Sequence, residues 1–131
     1  GSPELYVCGD PACTTGTKRT LGVADPAIPE GWEGYFTSIA IGDDGNPVIS
    51  HGGPFSGLHL YVCDDPTCTT GTNRTLVTAD YLENGVRVGG HTSIAIGVDG
   101  NPVISHTAEL TDGPNLNVAI AVFAVTGIAF E

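Results

Sequence analysis

The chain is 131 residues long and sets fifteen Asp and Glu against four Lys and Arg, for a formal net charge of −11. That balance excludes the basic footprint a phosphate backbone needs, so neither nucleic acid nor an anionic membrane surface is expected as a partner. The length suits a single domain burying roughly two thirds of its unfolded surface, and 40% hydrophobic residues with nineteen Gly and nine Pro point to short strands and turns rather than disorder.

No apolar run reaches the roughly 18 residues of a transmembrane helix. No leader pattern is read, and no window sustains a helical period. The expected fold class is all-β.

In chain order, Leu5–Cys8 predicts a strand, Gly9–Ala12 a turn, and Cys13–Leu21 a Thr-rich returning strand. Cys8 and Cys13 are expected to face each other across a four-residue loop and to form a disulfide. Cys63 and Cys68 repeat the spacing and the expectation. Closing so short a loop is worth about 2 kcal/mol in the chain-entropy treatment. The rival is a zinc site, but each Cys pair lies in a different part of the chain with no His beside it. Disulfides imply an oxidising compartment, hence a secreted or surface protein.

Ala24–Phe36 is the first of two divergent stretches, the other being Ala79–His91. They carry Trp32, Tyr35, Phe36, Arg87 and His91. Such a stretch is where a binding surface is diversified, and aromatics stack on sugar faces, so a glycan is the candidate ligand. The competing reading is that these side chains cover a sheet edge.

Thr37–His51, TSIAIGDDGNPVISH, returns as TSIAIGVDGNPVISH at Thr92–His106, with Asp43 against Val98 as the only difference. Ser38–Ile41 and Pro47–His51 flank an Asp-Gly turn and predict a β-hairpin. The turn oxygens at Asp43 and Asp44 are of the kind calcium takes, but Val98 in the second stretch favours an ordinary turn; no metal or cofactor is expected. His51 and His106 fall at equivalent strand ends. Converging on an axis, they would bind a metal or a sugar hydroxyl; a structural role competes. Ser50-His51 and Ser105-His106 are sequence neighbours on a strand, so their side chains take opposite faces. No nucleophile–base pair or glycosidase carboxylate pair is read, and no enzyme is expected.

Leu58–Cys63 and Cys68–Val77 supply two further strands. The same shift of 55 residues lays Leu5–Asp25 over Leu60–Asp80. The domain is therefore read as repeat 1 at 3–57, repeat 2 at 58–112 and a C-terminal apolar strand segment at 113–131. Four antiparallel strands per repeat is the pattern of a β-propeller blade; a β-sandwich of the two repeats face to face is the alternative. In the tail, Leu116, Val118, Ile120 and Val122 alternate onto one face. After Phe123 the phase changes to Ile128 and Phe130, which predicts a bulge or turn near Thr126-Gly127 and either two strands or one strand exported to a partner.

The run SIAIG-x-DG-x-PVIS followed by L-x-V-C-x-D-x-x-C resembles repeats of secreted bacterial and phage-associated proteins. The resemblance implies long tandem arrays, propeller-like packing and no catalytic residues. A propeller typically takes four to eight blades, and this chain has two units and a fraction. Completion by oligomerisation is therefore expected: the N-terminal strands of one subunit complete the sheet left open near His106 in the next, head to tail, as a ring or a filament. The apolar tail, Leu116–Phe130, serves in that scheme as the assembly segment.

Overall fold

The computed structural model describes residues 2–22, 35–53, 57–77, 86–111 and 118–125. Among them the chain is strand and turn throughout, with no helix long and apolar enough to cross a membrane. The strands are β1 (Glu4–Cys8), β2 (Gly16–Thr20), β3 (Tyr35–Ile41), β4 (Pro47–Gly53), β5 (Gly57–Cys63), β6 (Gly71–Val77), β7 (Val86–Ile96), β8 (Pro102–Thr111) and β9 (Val118–Val125). The all-β expectation holds. Three antiparallel sheets form in chain order, β1-β2, β3-β4-β5-β6 and β7-β8-β9, and none of them is closed. Trp32, Leu116, Ile128, Phe130 and the turn sought near Thr126-Gly127 lie outside the described residues.

The central strands of the middle sheet, β4 and β5, are covered on both faces. Successive side chains on a strand take opposite faces, so Ile49 and Tyr61, paired in the β4–β5 ladder, share one face, and Val48 and Val62 share the other. On the first face Ile49, Tyr61 and the cystine Cys63/Cys68 are buried with Leu21, and Leu5 packs against them. On the second, Val48, Leu58 and Leu60 are buried against Ile94 and Ile104 of the third sheet. This is why β5, GLHLYVC, is apolar at every position but Gly57 and His59 rather than alternating apolar with polar: it is buried along almost its whole length.

Both disulfides form as expected, Cys8–Cys13 and Cys63–Cys68, and they indicate an oxidising, non-cytoplasmic location. Their loops are longer than the sequence suggests. Cys8 and Cys63 sit opposite Gly16 and Gly71 in the ladders, so the returning strands begin at those glycines and not at Cys13 and Cys68. The reason is an aspartate at the centre of each loop. Asp10 accepts the backbone N–H groups of Ala12, Thr14 and Thr15 and both threonine hydroxyls. Asp65 does the same for Thr67 and Thr69. A side chain offering two acceptor oxygens competes with the ladder for these donors and wins. Cys13 and Cys68 are left with φ of 56° and 55°.

The tail departs from expectation at one point. β9 pairs antiparallel with β8 of its own chain, from Ile104↔Val125 to Thr111↔Val118. The edge near His106 is thus not left open: His106 stands opposite Phe123. Val118, Ile120, Val122 and Phe123 all belong to this intrachain strand, which satisfies the edge N–H and C=O groups that were assigned to a partner.

Candidate functional site

Two features of β3 and β7 set the chemistry of the surface between the second and third sheets. The first is a pair of bulges. The β3–β4 register jumps from Tyr35↔Gly52 to Ser38↔Ser50, and the β7–β8 register jumps between Gly90↔Thr107 and Ser93↔Ser105. Within them Phe36 and His91 have φ of 54° and 48°, a left-handed conformation that a bulky side chain seldom adopts. The two positions are 55 residues apart and so are counterparts in the sequence. Their rings meet, centroids 4.5 Å apart, and Tyr35 lies 6.2 Å from Phe36. Tyr35 and Phe36 are 47% and 41% exposed, and His91 is exposed as well. The structure thus brings Tyr35, Phe36 and His91 into one aromatic ledge. Arg87 stands opposite Glu109 in the β7–β8 register.

The second feature is a polar seam. Leaving the β4 ladder frees the Phe36 carbonyl, which accepts the Thr92 hydroxyl. Thr92 Oγ1 in turn accepts the Ser50 hydroxyl at 2.9 Å, and Ser38 Oγ accepts the Ile94 amide at 3.3 Å. Each bond crosses from one sheet to the other. Beside the seam the backbones touch directly. A Cβ on Gly52 would lie 2.3 Å from the Gly89 carbonyl oxygen, and one on Gly89 would lie 2.2 Å from that of Gly57. Gly89 also has φ of +84°, and this approach of β4, β5 and β7 needs Gly52 and Gly89.

The histidines do not act as a set. His51 is buried on the face of the middle sheet opposite the seam, stacked on His59 with centroids 5.1 Å apart and planes 12° apart. Its Nε2–H donates to Asn73 Oδ1 at 2.8 Å, and its Nδ1 is buried with no hydrogen-bond partner among the described residues. Protonating Nδ1 would bury a charge and an unsatisfied N–H together, so burial pushes the pKa down to about 4, the Asn73 bond opposing and the neighbouring His59 adding to the effect. His59 Nδ1 lies 3.2 Å from the Thr75 hydroxyl. His106 is buried too, its Nδ1–H donating to the Thr107 carbonyl at 3.3 Å. His59 and Asn73 were not singled out in the sequence; their alternation with Tyr61 and Thr75 across adjacent strands was the available signal.

The Asp-Gly turns are ordinary turns. Asp44 and Asp99 each accept the amides of the Asn two residues on, and Gly45 and Gly100 have φ of 82°. Among the described residues no group of three His, Cys, Asp or Glu could hold a metal. The exposed loop aspartates are likewise spent: hydrogen bonds from Thr14 and its neighbours hold Asp10 near 2, and those from Thr69 hold Asp65 well below the usual carboxylate range.

One contrast stands out. Ile94 is 8% exposed, whereas its sequence counterpart Ile39 is 49% exposed and the next outward residue, Ile41, 57%. Ile94 and Ile96 are covered by the middle sheet. Ile39 and Ile41 face the side of β1-β2, whose two described strands leave them exposed. No protein family, curated protein or solved structure matches the chain.

Proposed function

We propose that this is a non-enzymatic extracellular or cell- or virion-surface protein whose units are blade-like and which assembles head to tail. The observation that carries the reading is the exposure of Ile39 and Ile41 on a face whose counterparts, Ile94 and Ile96, are covered. A fully buried isoleucine gains about 1.5–3 kcal/mol over an exposed one, so two uncovered ones on one face of β3 are read as an interaction surface. Replacing Ile39 and Ile41 together by Lys is expected to leave stability within about 0.5 kcal/mol, as exposed positions do, and to abolish particles larger than 13.4 kDa in light scattering of the native protein. A wild-type chain that is monomeric at micromolar concentration sinks the reading. The disulfides and the acidic surface suit such a setting: mutual repulsion between subunits keeps association from running on indiscriminately.

A second reading, glycan binding, rests on the ledge of Tyr35, Phe36 and His91, where exposed rings are held on strained backbone as at many ligand sites. Phe36→Ala is expected to remove any signal on a glycan array. Binding that survives this substitution places the ligand elsewhere.

A further inference from the structure

We propose that the surface covering Ile39 and Ile41 is the outer face of β7–β8 of a second copy of this chain, and that the contact repeats the one already made between the second and third sheets; this rests on the assembly reading above. Within one chain, the face formed by Ser38, Ala40, Val48 and Ser50 covers Ile94 and Ile96 and bonds Thr92. Shifted by 55 residues these four become Ser93, Ala95, Val103 and Ser105, the same residue types without exception. The register pairs Ser93 with Ser105 and Ala95 with Val103. Since Ile94 and Ile104 face the middle sheet, these four face away from it. Ser93 and Ala95 are exposed, and Val103 and Ser105 are half-buried. Shifted the other way, the receiving residues Thr92, Ile94 and Ile96 become Thr37, Ile39 and Ile41, again identical and all exposed.

Each chain therefore carries both halves of a contact it already makes once internally, one half at each end of its stack. The halves differ, so the contact is head-to-tail and adds copies in one direction. The Ser105 hydroxyl of one copy takes the place of Ser50 and donates to Thr37 of the next, and Ser93 takes the place of Ser38 opposite the Ile39 amide. The match is incomplete. Thr107 corresponds to Gly52, which the Gly89 carbonyl approaches within reach of any Cβ, so the joint is more open at that end. β1 of the receiving copy, held on Ile49 and Tyr61 through Leu5 and Leu21, then stands where β5 stands beside β4. That is the edge of β8 which β9 occupies, and β9 yields it as the copies join.

The test is oxidative cross-linking of a mixture of two single variants, Thr37→Cys and Ser105→Cys, followed by peptide mapping. The double variant Ser50→Cys with Thr92→Cys is the within-chain control, since those hydroxyls are 2.9 Å apart. The expected result is a disulfide joining position 37 of one copy to position 105 of another, several-fold in excess of 37–37 and 105–105 links. Assembled particles that lack the 37–105 link, or that link 37 to 37, overturn this contact and leave self-assembly standing. A mixture that stays monomeric overturns both.

Discussion

Gly89→Ala is expected to destabilise the protein by about 3 kcal/mol or more, a large part of the roughly 5–15 kcal/mol that holds a domain together. Two effects add. Gly89 has φ of +84°, and an L-residue there costs roughly 1–2 kcal/mol before any contact is counted. Its Cβ would also fall 2.2 Å from the Gly57 carbonyl oxygen and 2.9 Å from the Leu58 amide nitrogen. Those are backbone atoms of a central strand, and they can move only by parting the second and third sheets. Gly45→Ala separates the two effects, because Gly45 has φ of +82° with nothing within 4 Å of its Cβ. Urea midpoints should fall slightly for Gly45→Ala and steeply for Gly89→Ala. Equal falls would mean that strain, and not the approach of the sheets, sets the cost.

The second large effect is acid lability through His51. Its pKa in the fold is about 4, against an ordinary 6.5, so the unfolded chain binds a proton at a pH where the folded chain does not. The stabilisation is complete above about pH 6.5 and is lost as pH falls through about 4. Over that window about 3 kcal/mol should disappear. His51→Gln keeps a donor for Asn73 and cannot titrate. Stability measured from pH 7 to 4 should therefore slope in the wild type and run nearly flat in His51→Gln. Identical slopes would assign the acid loss to other groups. Asp10 acts in a separate range, its contribution being present above about pH 4 and lost near pH 2.

What could be read from the sequence was whatever depended on neighbours in the chain. The Asp-Gly hairpins, the strand pairs they join and the two local disulfides follow from spacing and turn chemistry alone. The limits of such reading show at Cys13 and Cys68, where the carboxylates of Asp10 and Asp65 outcompete the ladder and lengthen the loops. Contacts between sheets were much less legible. Ser38, Ser50 and Thr92 are ordinary strand residues until two sheets bring Ser50 within 2.9 Å of Thr92 and Ser38 within 3.3 Å of the Ile94 amide, and nothing in the sequence joins Gly52 to Gly89, which are not counterparts under the 55-residue shift. His59 gave little signal, its alternation with Tyr61 apart, because its stacking on His51 joins adjacent strands. The tail was read as two strands or as one strand exported to a partner; its pairing with β8 of its own chain is not specified by the apolar alternation, which fixes a face and not a neighbour.

Every strand in the described chain pairs only with its neighbours in sequence, and no sheet contains a crossover. That wiring has a genetic consequence. Thr37–His51 and Thr92–His106 are nearly identical, so recombination between their coding sequences deletes or duplicates 55 residues in frame. After deletion β4 runs directly into the end of β8 and meets β9; after duplication a further four strands are inserted as a meander. In neither product is a strand separated from the neighbour it pairs with; the Cys8–Cys13 loop stays whole in both, and the Cys63–Cys68 loop is removed whole or copied whole. Chain length in such a lineage can therefore change by 55 residues in a single step.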